Sequence, residues 1–337
     1  MGYRIVFLRP KKITRFLIQD GFYSEVSLKY IPSDYIYTLY LSNLLERDFE
    51  FQKINKEKNL EKLKELYLRD IPKISSAYPY YIENNEIYLY LPGLLYKYQN
   101  REVKNKKIRN SLRDYNKFVE INYLNSIIEN IKKGETEQFD SISDYSWAKI
   151  LTRVITRNSL DRIRSSTLSE GGLFNEEYVF CYRISNRKYS KEFGYYFIIE
   201  ENSKTEEFLK IIREYFELRG IGANKSVSNS VFQLATSDDI LKDYKDLNLK
   251  EKEKLLYDLI EKTRKEGYLY HTRVLDENIK DKIEILKHRF LVIDGFSIYF
   301  IISDGSKLKE TVNYVKPIVV DRRQNLEKLN FRIFYGI

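Results

Sequence analysis

The chain has 337 residues, 43% apolar and 32% charged, with a formal net charge of +9. A single cysteine, Cys181, excludes an internal disulfide, and two histidines with no CxxC or HExxH pattern speak against a zinc site. No run approaches the about 18 apolar residues of a membrane span and the start lacks a signal-peptide core, so the expectation is a cytoplasmic protein of about two domains.

The basic balance favours a polyanionic partner, nucleic acid before membrane. Thirty tyrosines and nineteen phenylalanines are an unusual aromatic load, read mainly as core and half-buried strand positions. Cys181, inside the apolar run YVFCYRI, is read as a buried small residue.

In chain order, residues 3–8 alternate as a strand that Pro10 closes, and 11–30 are irregular. Ser33 and Asp34 stand before an apolar-aromatic helix and suit its N-cap; 59–68 repeat the helical spacing. Residues 77–92 read as a hairpin turning at Asn84-Asn85. The window 97–117 is the most basic in the chain, with Lys104, Lys106, Lys107 and Arg109 at its centre. It reads either as a solvated loop or as an arm along a phosphate backbone, and it is where a thumb-like projection is expected. A strand at 117–123 and a helix at 124–133 follow, and the acidic stretch 134–144 suits a boundary.

The second half has a polar run, RNSLDRIRSSTLSE, then Gly171-Gly172-Leu173-Phe174, strands at 177–184 and 193–199, and a helix at 204–219. Next comes LRGIGANKSVSNSVF, residues 218–232. Gly220 and Gly222 permit positive φ, and consecutive N–H groups in such a turn can form a concave anion site. Lys225 and Ser226 would add a charge and a donor; the alternative is a plain C-cap turn. Asp238 and Asp239 read as a solvated turn or helix cap, 250–265 as a charged helix, and four short strands end the chain. The pattern is α+β and fits two ferredoxin-like (RRM-like) domains with antiparallel sheets, 1–142 and 143–337, the first with a basic insertion near 93–117 and the second with the glycine-rich helix-to-strand loop. No GxGxxG or GxxxxGK[ST] is present, which removes the dinucleotide and P-loop readings.

Taken in order, IPSDYIYTLYLSNLL, YPYYIENNEIYLYLPG, RNSLDRIRSSTLSEGGLF, RGIGANKSVSNSVFQL and the closing FRIFYG resemble the RAMP proteins of type III CRISPR effector complexes. The resemblance is to the Csm-type subunit that holds the 5′ handle of the CRISPR RNA (crRNA). It spans nearly the whole chain and rests most on Asn158, Asp161, Arg162, Gly172, Leu173 and Phe174. The loop keeps Gly220, Gly222, Lys225 and Ser226 and carries Ser228 and Ser230 where the family has later glycines.

The resemblance implies a subunit without catalytic residues, metal or cofactor that binds the crRNA 5′ handle. Its implied partners are the large cyclase/nuclease subunit, the backbone RAMP subunit and target RNA near the handle. The expected RNA-binding residues are Gly220, Ile221, Gly222, Ala223, Asn224, Lys225 and Ser226 in the loop; Asn158, Asp161, Arg162 and Arg164 in the polar run; Ser33 and Asp34 at the first helix; and Lys104, Lys106, Lys107 and Arg109 in the basic window. The alternative within the same superfamily is a metal-independent CRISPR RNA-processing endoribonuclease. That chemistry needs a general acid or base near the 2′-OH, usually His, and His271 and His288 are the only candidates of that type.

Overall fold

The computed structural model describes residues 2–20, 23–47, 68–94, 103–135, 144–158, 160–161, 166–167, 173–185, 190–222, 230–293, 297–310, 316–323 and 326–337. It is an α+β fold built on one nine-stranded antiparallel sheet. The strands are β1 (Tyr3–Pro10), β2 (Ile13–Phe16), β3 (Tyr78–Glu83), β4 (Glu86–Pro92), β5 (Phe118–Glu120), β6 (Leu151–Asn158), β7 (Leu173–Ser185), β8 (Ser190–Glu200) and β9 (Phe232–Ala235). The main path runs β9-β1-β8-β3-β4-β5, and β7 leaves it from β8 to pair with β2 and β6.

The hub is β8. Its apolar run Phe193–Ile199 is buried throughout, as expected of a central strand flanked on both edges. One edge pairs with β3 over Lys191–Tyr196; the other pairs with β1 over Tyr195–Glu200 and with β7 over Ser190–Phe193. The division expected at 142/143 therefore runs through a shared sheet: β1 and β3 from the first half flank β8 from the second.

Tyrosine fills much of the core, and several of its hydroxyls find backbone acceptors. Tyr37, Tyr195 and Tyr196 donate to the carbonyls of Pro72, Lys29 and Tyr90 at 2.7, 2.9 and 2.8 Å. Cys181 is buried.

The longer helices among the described residues are α1 (Ser33–Arg47), α2 (Lys106–Arg113), α3 (Ile121–Lys133), α4 (Thr205–Glu214), α5 (Ser237–Asp243) and α6 (Leu249–Lys265). Helix α1 packs on α4 through Tyr40 and Phe208, 5.1 Å between ring centres. Between α6 and the start of α3, Lys252 pairs with Glu120 at 2.7 Å.

Local signals formed as read in two places. Asn84 and Asn85 take φ of 53° and 63°, the left-handed pair a tight hairpin demands. Asp239 closes a capping box with Thr236 at the start of α5. We expect Thr236→Ala to cost about 1 kcal/mol in urea unfolding, with no further effect. Among the described residues no helix is long and apolar enough to cross a membrane, and no group of three His, Cys, Asp or Glu could hold a metal.

Candidate nucleic-acid interface

The glycine turn begins where α4 runs into a π-helical turn, Tyr215–Arg219. Gly220 ends it with φ +74° and donates its N–H to the Tyr215 carbonyl at 2.8 Å. Ile221 is fully buried, and its N–H donates to the carbonyl and hydroxyl oxygens of Ser230, both at 3.2 Å. Gly222 has φ +82° and donates to the Tyr35 hydroxyl at 2.6 Å. A Cβ at Gly222 would lie 2.5 Å from the Leu17 carbonyl oxygen, so only glycine fits. This corrects one expectation: the N–H groups of Gly220, Ile221 and Gly222 are spent inside the protein and do not face a phosphate. The three residues form a neck that Ser230 closes. Ala223, Asn224, Lys225 and Ser226 lie outside the described residues.

Ser33 and Asp34 are corrected more sharply, because both are fully buried and reach no solvent. The first turn of α1 is instead held by the Pro32 carbonyl, which accepts from Tyr35 and Ile36. Asp34 accepts from the Thr272 hydroxyl and from Arg332, each at 2.8 Å, with Arg289 at 3.9 Å. The pair thus ties α1 to the hairpin Lys316–Arg323/Leu326–Phe334. Burial alone would raise the Asp34 pKa, but Arg332 and Arg289, helped by Thr272, hold it below the ordinary carboxylate value. With the folded pKa depressed, its stabilisation is complete at neutral pH and is lost as pH falls below about 4. We expect urea midpoints measured across acid pH to drop in that window, and Asp34→Asn to flatten the drop while starting from a lower midpoint at neutral pH.

The centre of the basic window is not a loose arm. It is α2, capped by the Asn105 side chain, which accepts from the Lys107 and Ile108 amides at 3.1 and 3.3 Å. Ile108 and Leu112 anchor it in the core, while Lys104, Lys106 and Lys107 are exposed and Arg109 is half-buried. These cations gather at the helix N-terminus, where the dipole is also positive, so the local field favours an anion. Residues 95–102 lie outside the described residues.

The element that extends from the sheet is the ribbon of β6 and β7, paired from Asn158↔Leu173 to Leu151↔Phe180. Asn158 ends β6, and Asp161 pairs with Ser166 in a short ladder beyond it. Arg162 and Arg164 lie outside the described residues. Three arginines cover aromatic rings on the ribbon: Arg153 over Phe180 at 5.8 Å, and Arg157 and Arg15 over Tyr178 at 5.5 and 5.3 Å. Arg157 is held by Glu176 and the Tyr178 hydroxyl, both at 2.6 Å. Arg15 comes from β2, which pairs with the other edge of β7. Next to it, the Thr14 hydroxyl donates to the Val231 carbonyl at 3.0 Å, joining β2 to the closing side of the glycine neck. Glycine neck, β2 and ribbon are therefore neighbours in the fold. Arg15, Arg153, Arg157, Tyr178 and Phe180 were not among the expected residues. The period-2 placement of Arg153 and Arg157 in LTRVITR is the signal that marks them.

Of the two histidines, His271 is buried with both ring nitrogens engaged. Nδ1 lies 2.8 Å from the Ile337 oxygen, and Nε2 accepts from Arg273 Nε at 2.8 Å. Burial, reinforced by Arg273, keeps its pKa well below the ordinary value, so it is a neutral ring with no lone pair to offer. His288 is exposed.

Neither a protein-family model nor a curated protein matches the sequence. Over 99% of its length the chain superimposes on 99% of a chain from the crystal structure of the Csm3–Csm4 subcomplex in the type III-A CRISPR–Cas interference complex, at TM-score 0.50 and 13% identity. The chain has a Csm-type fold. Weaker matches are to a chain of the Csm1–Csm4 cassette in complex with cA4 (TM-score 0.45, 12% identity, 100% and 96% covered) and to one of the type III-B Cmr-beta bound to cognate target RNA and AMPPnP (0.39, 14%, 90% and 86%). The whole-length match agrees with the resemblance carried by the ordered sequence motifs. It also sets the glycine turn and the arginine-bearing ribbon on a Csm-type scaffold.

Proposed function

We propose that this chain is an RNA-binding, non-catalytic subunit of a type III CRISPR interference complex. In this reading it anchors the crRNA 5′ handle and bridges the large cyclase/nuclease subunit to the backbone filament. The observation that carries the reading is the whole-length Csm-type fold, with the glycine neck, β2 and the arginine-covered ribbon adjacent in it. Residues 223–226 follow the neck in sequence, and Lys225 would supply a charge for a handle phosphate. Asn158 and Asp161, with Arg162 and Arg164 next in sequence, would meet splayed handle bases, which polar side chains can read in single-stranded RNA. Lys104, Lys106, Lys107 and Arg109 would serve a separate stretch of backbone, next to target RNA.

Filter binding of handle-bearing RNA across salt concentrations tests this. Affinity should fall steeply with salt, and Arg153→Ala and Lys225→Ala should each weaken binding and lower the slope by about 0.7, one single-strand phosphate contact. An affinity that is flat in salt, or equal for RNA without the handle, would remove the proposal. Repeat RNA incubated with the protein without metal should stay intact. Cutting that disappears in His288→Ala would establish the nuclease instead.

A further inference from the structure

We propose that the cleft walled by Tyr81, Tyr145 and Trp147 receives one splayed-out base of single-stranded RNA. The proposal rests on the RNA-binding reading above and adds a site to it. The cleft has a volume of about 200 Å³, room for one base; Tyr90, Tyr182 and Phe193 add further rings, and Glu83, Asp144 and Lys149 also line it.

Its aromatic surface is pre-arranged. Tyr81 and Tyr88 are cross-strand partners on β3 and β4. Tyr145 stacks on Tyr88 at 4.2 Å with planes 10° apart, and on Tyr81 at 5.9 Å and 22°. The hydroxyls of Tyr81 and Tyr145 both donate to Glu83 Oε2, at 2.8 and 2.6 Å, which fixes the ring planes. Tyr81, Tyr88, Tyr145, Trp147 and Tyr182 are only half-buried, unlike the tyrosines of the core. Half-exposed rings held in register present stacking faces at little entropic cost.

An aromatic cage with a carboxylate also suits an ammonium ligand. The charges decide against it, because Glu83 is already ion-paired with Lys191, and Asp144 with Lys149 at 3.0 Å. What remains is an aromatic slot whose charges are balanced, suited to a neutral base. The slot also continues the candidate interface. Tyr182 lies 6.1 Å from Phe193 and leads along β7 to Phe180 and Tyr178, alternate residues on one strand face about 6.8 Å apart. Those are the rings under Arg153, Arg157 and Arg15. A strand following the arginines arrives at the cleft.

Trp147 is the only tryptophan, so its fluorescence reports on the cleft directly. We expect a short single-stranded RNA of mixed sequence to quench Trp147, and an abasic oligomer of equal length to leave it unchanged. Tyr145→Ala should weaken RNA binding about five- to a hundredfold without altering the salt slope, and Tyr145→Phe, which keeps the stacking ring but loses its bond to Glu83, should lose much less. Salt-dependent RNA binding with Trp147 emission unmoved, or equal quenching by the abasic oligomer, would overturn the base site and leave the RNA-binding reading standing. Failure to bind RNA at all would overturn both. The quenching comparison uses the unaltered protein, so it decides even if Tyr145→Ala does not fold.

Discussion

Arg9→Met is expected to lower unfolding stability by about 3–5 kcal/mol, read from urea melts followed by circular dichroism. Arg9 lies in β1 with its side chain buried, and its Nε and Nη2 form a two-pronged pair with Glu192 of β8 at 2.8 and 2.7 Å. Its Nη1 reaches Asp243 at the end of α5 at 2.7 Å. Glu192 is fully buried and also accepts from the Tyr80 hydroxyl and from Tyr244 at 2.9 Å, with Arg183 at 3.4 Å. Gly194 makes this possible, since a Cβ there would meet the Tyr80 ring at 2.8 Å and push its hydroxyl off the carboxylate. Removing Arg9 strips a buried carboxylate of its two-pronged partner, and the two hydroxyls with Arg183 at 3.4 Å do not replace that pair. The double variant Arg9→Met/Glu192→Leu should therefore recover part of the loss, because no buried charge is left unpaired. A single variant within 1 kcal/mol of wild type, or a double variant worse than the sum of the singles, would refute this account.

That cluster marks the limit of what the sequence discloses. Elements fixed by near neighbours were legible: the Asn84-Asn85 hairpin, the capped α5 and the long apolar strand β8 each follow from residues within a few positions. Partners far apart in the chain were not. Ser33-Asp34 looks like a surface cap in sequence, yet Asp34 is buried because Arg332, 298 residues away, folds over it. The basic window reads as solvated by composition, and only the burial of Ile108 and Leu112 makes it a docked helix. The candidate interface was half legible for the same reason. The glycines announced a turn, but that β2 and the ribbon lie beside it depends on pairings such as Thr14↔Cys181 that no local pattern encodes.

Gly222→Ala carries the second large effect and tests how the glycine turn works. At φ +82° an alanine pays the left-handed penalty of about 1–2 kcal/mol, and its Cβ would sit 2.5 Å from the Leu17 carbonyl, a backbone atom that cannot swing aside. The neck must open or the segment after β2 must shift, so a total loss of about 2–4 kcal/mol in urea melts is expected. Tyr35→Phe probes the same contact from the other side. It deletes the acceptor of the Gly222 N–H while leaving the backbone room untouched, at a cost of about 1–3 kcal/mol. The two should differ in RNA binding. If the neck acts by holding residues 223–229 in place, Gly222→Ala should weaken handle binding under conditions where it is fully folded, with the salt slope unchanged. Lys225→Ala should do the reverse, keeping stability and lowering the slope. Wild-type stability in Gly222→Ala would contradict the packing described here. Lost stability with wild-type RNA affinity would make the neck a purely architectural turn, and would leave the ribbon arginines to carry the RNA.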